Sequence, residues 1–227
     1  MAGPLLPDDF NGTVRLFPLP DLVLFPQVVQ PLRLFEPRYV QLLEDALQDD
    51  QLITMALLKP GWESNDDAFP PIYPTVCVGR IVHHRGQTDR TYQILLAGAA
   101  RAEVVEEPQS SLPYRIAHVD LIPDSDTTSE PVNASELRSA LISAVEKSES
   151  PHIDLMANFR QLLDQQVSLG MLTDVLAFSL ELPIEIKQDL LETADVTLRA
   201  RQLLRHVQSA SVEPPRRQTY PLPFSDN

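Results

Sequence analysis

The chain has 227 residues, 43% of them hydrophobic, with a formal net charge of −14 at pH 7. That is enough apolar material for one large or two small cores, and a charge that repels phosphate backbones where no basic patch breaks it. A single cysteine, Cys77, excludes an intramolecular disulfide, and no stretch reaches the roughly 18 consecutive apolar residues a membrane span needs.

The opening residues, MAGPLLPDDF, carry neither a basic n-region nor an apolar run of signal-peptide length. With no span and no disulfide, the expectation is a cytoplasmic protein that binds neither membrane nor nucleic acid. Residues 1–12, rich in Pro, Asp, Gly and Asn without periodicity, read as a flexible lead-in. VRLF at 14–17 then begins an apolar stretch that continues from Leu22 to Leu34 and is broken by Pro26 and Pro31. Prolines cannot donate to a central ladder, so these two belong at strand ends or on an edge strand.

Pro37 suits the first position of a helix, where its missing N–H costs nothing, and the helix is expected to run to about Asp49. Along it Tyr39, Leu42, Leu43, Ala46 and Leu47 recur at helical spacing and form one apolar stripe. LITMALL at 52–58 reads as a buried strand. A long loop follows, 59–75, proline-rich and carrying three aromatic residues, Trp62, Phe69 and Tyr73. Further strands are expected over 76–85, 91–97, 101–106 and 114–122, separated by turns at Gly86, Gly98 and 108–113, in the spacing of an antiparallel meander.

The polar stretch 123–133, PDSDTTSEPVN, reads as a linker. Beyond it the period changes to 3.6. Leu137, Ala140, Leu141, Ala144 and Val145 form one stripe, Leu155, Met156, Phe159, Leu162 and Leu163 a second, and Val196, Ala200, Leu203, Leu204 and Val207 a third. Gly170 is read as the end of the second long helix and Pro183 as the start of a later, shorter one. The expected organisation is a β-rich unit over 13–122 with one helix, the linker, and an all-helical unit over 134–209. Residues 210–227 are a proline-rich tail, either disordered or docking through Tyr220, Leu222 and Phe224.

Catalytic chemistry finds little support. A phosphate-binding loop needs a lysine directly after its last glycine, and none of Lys59, Lys147 and Lys187 follows one. No His-Glu-x-x-His pair is present for zinc, and His83 and His84, adjacent in a strand, would point to opposite faces. Cys77 sits in a Val-Cys-Val setting that suits a buried thiol, and no serine lies in a G-x-S-x-G elbow. Arg199, Arg201 and Arg205 read as a solvated helix face. The expectation is therefore no enzyme activity, no cofactor and no metal.

Residues 16–47, LFPLPDLVLFPQVVQPLRLFEPRYVQLLEDAL, resemble the opening signature of the Lon protease amino-terminal domain. The resemblance is carried by Phe17-Pro18-Leu19, Leu24-Phe25-Pro26, Pro31-Leu32 and above all Phe35-Glu36-Pro37-Arg38-Tyr39. VGRIV at 78–82, the segment 94–101 and KQDLLETADVTLRARQLL at 187–204 follow in the family's order, so the resemblance covers roughly residues 13 to 208. It implies an α+β fold: a PUA-like β-rich pseudo-barrel with one helix, followed by a helical bundle, without the ATPase and peptidase modules of full-length Lon. Gln27 departs from the family, which often has glycine there, and the loop 59–75 looks expanded.

The signature residues read as architecture. Pro31 and Pro37 set the chain's entry into strand and helix, Phe35 anchors the helix start in the core, and Glu36 and Arg38 form a local charged link. Binding is assigned instead to Trp62, Phe69 and Tyr73, since aromatic anchors deliver large contact area for few rotors. The expected function is a non-catalytic module that recognises unfolded or hydrophobic polypeptide segments in an apolar groove between the two units. It would serve protein quality control, with a separate protease or ATPase as a further partner. The alternative is a small-molecule or peptide-end sensor in the β-rich part, which a compact aromatic cage would mark.

Overall fold

A computed structural model describes residues 5–64, 69–87, 91–126, 134–147 and 167–210. In chain order they form β1 (Thr13–Leu19), β2 (Val29–Leu34), α1 (Pro37–Gln48), β3 (Leu52–Leu57), β4 (Thr75–Gly86), β5 (Tyr92–Glu106) and β6 (Arg115–Ile122). The helices α2 (Ala134–Lys147), α3 (Leu169–Ser179), α4 (Ile184–Glu192) and α5 (Val196–Ala210) follow. The fold is α+β. The second predicted stripe, Leu155 to Leu163, and the tail residues Tyr220, Leu222 and Phe224 lie outside the described residues.

Five strands close a ring, β1–β3–β4–β5–β6, with β6 returning to β1. The β1–β3 pairing is parallel and the others are antiparallel; a parallel neighbour needs a crossover, which α1 supplies. Inside the ring lies a core of small and branched residues, among them Val14, Leu16, Leu52, Ala56, Val76, Val78, Ala102, Ala117 and Val119. Leu6 and Phe10, from the segment read as a lead-in, pack against this core.

Outside the ring, alternate residues of the same strands join the helices in a second and larger cluster. Phe17, Ile53, Met55 and Cys77 meet Leu42, Leu43 and Ala46 of α1 and, further along, Leu141, Leu172, Leu176, Leu191 and Leu203. One apolar cluster therefore continues from the sheet into the helical half. Burial pushes the Cys77 thiol upward, which leaves it protonated and inert at neutral pH.

Among the described residues β2 lies outside the ring as an edge strand, paired only with the first half of β5, and Pro31 sits opposite Leu95 there. An edge is where a residue without an N–H is tolerated. The two strands expected on either side of a turn at Gly98 are instead one continuous strand, β5. Gly98 marks an irregularity in its pairing with β4, where Gly79 pairs with Gly98 but Val78 with Ala100. Such a bulge bends a strand without ending it, and it lets the first half of β5 pair with β2 and the second half with β6.

The tight approach at Gly98 belongs to the turn before β2. A Cβ there would lie 2.0 Å from the carbonyl oxygen of Phe25. Gln27 N–H donates to Gly98 O at 2.8 Å, and Gly98 N–H donates to Val28 O at 2.8 Å. Gln27 itself has φ 66°, the left-handed region that costs an L-residue roughly 1–2 kcal/mol and a glycine nothing. Gln27→Gly is expected to raise stability by up to about 1 kcal/mol, since glycine's larger loss of chain entropy offsets part of the relief. Urea unfolding should show a higher midpoint at an unchanged m-value.

Three further expectations change in the helical half. Gly170 lies in the first turn of α3 rather than at the end of a helix. Ser168 caps that helix, accepting from Met171 N–H, and a Cβ on Gly170 would lie 2.6 Å from Asp124 Oδ2. Pro183 is the residue immediately before α4 rather than inside its first turn. Arg199, read as part of a solvated face, is fully buried.

Arg199 belongs to a charged network that joins the two halves. Arg101 on β5 bonds Asp174 on α3 and Asp124 after β6, the latter at 3.0 Å. Arg199 on α5 reaches Asp124 at 2.9 Å and lies 3.1 Å from Asp174. Spare guanidinium N–H groups donate to the carbonyls of Leu191 and Thr193 at 3.0 and 2.6 Å. Burial pushes the Asp174 carboxyl upward against the pull of Arg101 and Arg199. Asp124 and Ser125, in the segment read as a linker, are thus tied down, Ser125 also exchanging backbone hydrogen bonds with Ala194 and Val196.

Candidate functional site

The concavity of interest opens on the ring side, where the end of β1, the start of α1 and the loop after β3 converge. Its volume is about 360 Å³, toward the lower end of the roughly 300–1,000 Å³ usual for ligand sites. Its apolar lining comes from Pro18, Leu19, Pro20, Leu58, Trp62 and Phe69, and Tyr39 forms part of the wall. Glu36, Arg38, Glu63 and Arg115 supply the charged groups.

Each wall has a local cause. Pro37 opens α1 at its first turn, which turns Tyr39 inward to pack edge-on against Phe17 at a ring-centroid distance of 4.4 Å. Arg38 caps that ring from above, its guanidinium 4.5 Å from the Tyr39 centroid; its Nε donates to Glu36 Oε2 at 3.0 Å, and its Nη2 lies 2.9 Å from the same oxygen. A cation so placed gains from both the carboxylate and the aromatic face. Phe35 departs from the expectation: it is 64% exposed, so Tyr39, only 6% exposed, anchors the helix start instead.

The loop wall is held at both ends. Its base is closed by Lys59 N–H donating to Pro71 O and Tyr73 N–H to Leu57 O, both at 2.9 Å. Arg115, buried on β6, donates to Pro70 O at 2.7 Å, while Glu107 accepts its other N–H groups at 2.5 and 2.7 Å. A bidentate pair of this kind fixes orientation as well as charge. Tyr114, alongside, donates to Asp45 Oδ2 at 2.6 Å, and burial with that hydrogen bond pushes its hydroxyl up to about 12.

The three aromatic residues of the loop do not all line the same space. Trp62, half-buried in a single 3-10 turn, and Phe69, 47% exposed, both line the concavity. Tyr73 faces away, packed on the larger apolar cluster with the Lys59 ammonium 5.9 Å from its ring. Conversely, Glu36, Arg38 and Tyr39, read from sequence as architecture, face the same space as Trp62 and Phe69. Pro26 is buried in the turn before β2, and Pro31 and Pro37 are exposed.

Between the two halves, where an apolar groove was expected, the described residues include the continuous cluster and the Arg101–Asp174–Arg199 network. A smaller hollow of about 270 Å³ lies between residues of both halves, lined by residues including Leu22, Val23, Phe178, Ile184 and Lys187. Lys187 caps the end of α3 by donating to Phe178 O at 2.6 Å, and burial lowers its pKa. Among the described residues no cluster of His, Cys, Asp and Glu is arranged to hold a metal, and no described helix is long and apolar enough to cross a membrane.

Comparison with known proteins places this architecture. The family model described as the ATP-dependent protease La (LON) substrate-binding domain matches residues 13–209. A relative named Lon protease 2 from Myxococcus xanthus is 31% identical over 197 residues, covering 87% of this chain and 24% of that protein. The Lon protease of Anaeromyxobacter dehalogenans is 28% identical, covering 87% of this chain and 23% of that protein. The chain thus spans about a quarter of the length of these curated relatives.

Among solved structures, a Lon N-terminal domain protein from Xanthomonas campestris superposes with a TM-score of 0.62 at 24% identity, covering 85% of this chain and 97% of that one. The N-terminal domain of the Mycobacterium avium complex Lon protease gives 0.60 at 16% identity, covering 86% and 98%. These likenesses establish the fold.

Proposed function

The chain belongs to the Lon substrate-binding domain family, and from that premise we propose that it is a non-catalytic module that holds unfolded or hydrophobic polypeptide segments for Lon-type proteolysis. The carrying observation is the meeting of Trp62 and Phe69 with Glu36, Arg38 and Tyr39 around one concavity of about 360 Å³. That space suits one or two large side chains of an extended segment, with an apolar floor for affinity and a polar rim for orientation. An ATPase and a protease would then act on the client.

The open shape favours a chain lying across the site over a small molecule enclosed within it. A sensor of small molecules or peptide ends calls for a closed aromatic cage. Here Phe69 is 47% exposed, and among the described residues the ring pair is Phe17 with Tyr39, where Phe17 belongs to the core beneath.

The test is isothermal titration of the protein with an unfolded casein-like substrate, alongside Trp62→Ala checked for fold by circular dichroism. Saturable binding is expected, weakened in the variant by about 2 kcal/mol, or roughly 30-fold, the scale of an aromatic anchor. A folded protein that shows no saturable binding contradicts the proposal.

A further inference from the structure

The charges around the concavity are unequally satisfied, and the imbalance bears on which segments it takes. Arg38 is held by Glu36 at 2.9 Å. Arg115, with 8% of its side chain exposed, is held by Glu107 and by Pro70 O. Both cations lining the space are therefore neutralised by the protein itself. Glu63 is exposed on the 3-10 turn beside Trp62 and lines the same space. Among the described residues no hydrogen bond or ion pair engages it. The uncompensated charge at the mouth is thus negative, in a chain whose net charge of −14 sets a negative field around it.

Resting on the peptide-binding reading above, we propose that this site selects segments in which an aromatic or large aliphatic residue stands next to a cationic one. The apolar side chain enters between Trp62, Phe69 and Leu19, and the neighbouring Lys or Arg meets the Glu63 carboxylate. An acidic neighbour meets the same carboxylate as a like charge and is disfavoured. Recognition of this kind works by rejection as much as by attraction. The pair is exposed, so its contribution is modest and salt-sensitive, with a screening length of about 8 Å at physiological ionic strength and about 3 Å at 1 M salt.

The experiment uses three unstructured peptides that differ only in the residues flanking one central Phe: Lys, Gln or Glu. Affinities in the order Lys, Gln, Glu are expected, with a spread of about 5- to 20-fold between the extremes at low salt, collapsing at 1 M. Glu63→Gln should reduce the Lys-to-Glu ratio by about 2- to 5-fold. Glu185→Gln, an exposed change on α4 that removes one carboxylate away from the site, should reduce it less. Equal affinities for the three peptides overturn the selectivity while leaving peptide binding standing. Equal effects of the two variants overturn it too, because the preference then belongs to the whole surface. Binding of none of the peptides overturns both readings together.

Discussion

Asp174→Ala is expected to destabilise the fold by about 3–5 kcal/mol, the usual cost of removing one partner from a buried ion network. Asp174 is 2% exposed, and Arg101 and Arg199 around it are 3% and 0% exposed. With the carboxylate gone, two guanidiniums remain in the interior with only Asp124 to share, and Asp124 is 41% exposed. The network is a junction between the ring and the helices, so its loss should loosen α3 and α5 from β5. Replacing the three residues together by apolar ones, Arg101→Met, Asp174→Leu and Arg199→Met, should cost less than the single change, because no charge is then left buried. Urea unfolding of the single and triple variants checks this; a triple variant less stable than Asp174→Ala contradicts it.

Gly98→Ala is the second large effect. The added Cβ would sit 2.0 Å from Phe25 O, which is backbone on both sides of the contact, so no side chain can swing away. Either the turn at Phe25–Gln27 moves or β5 does, and both hydrogen bonds between Gly98 and the Gln27–Val28 segment are lost with it. A cost of about 3 kcal/mol or more follows from overpacking combined with broken backbone bonds. The consequence reaches the site: among the described residues β2 pairs only with β5, and α1, which carries Arg38 and Tyr39, begins just beyond β2. Hydrogen exchange should show β2 amides opening in the variant ahead of those in the ring; an intact β2 with unchanged stability would count against this account of the turn.

Local signals in the sequence carried most of the fold. Pro37 and the Tyr39–Leu47 stripe placed α1, the LITMALL run at 52–58 placed β3, and the Val196–Val207 stripe placed α5, because each pattern reports what one element buries. What escaped depended on distant partners. A glycine is the residue type a turn also uses, and nothing local shows that Gly98 lies inside a continuous β5 with Phe25 O, from the turn before β2, close against it. Arg199 sits among Arg201 and Arg205, and nothing local marks it as the one that meets Asp124 and Asp174.

The site was legible in its parts and not in its assembly. Trp62 and Phe69 stand out as aromatic residues in a polar loop, and Glu36, Arg38 and Tyr39 as a signature, but their convergence depends on the ring bringing β1, α1 and β3 together. Tyr73 gave the same signal as Trp62, yet it lies four residues beyond Phe69, past the point where the loop has rejoined β3 through its hydrogen bond to Leu57. Phe35 looked like a core anchor because it is large and apolar, whereas Tyr39, one helical turn on, fills that role against Phe17. Arg115, which completes the walls, has no local mark at all.

Trp62 is the chain's single tryptophan, so its fluorescence reports on the concavity directly. The decisive measurement is a titration of the protein with an unfolded polypeptide that lacks tryptophan, following Trp62 emission while calorimetry reads total binding. Binding at the site predicts a saturable shift of the emission to shorter wavelength, with the same midpoint as the heat. Saturable heat with no change in Trp62 emission would put the polypeptide elsewhere on the surface and contradict the assignment.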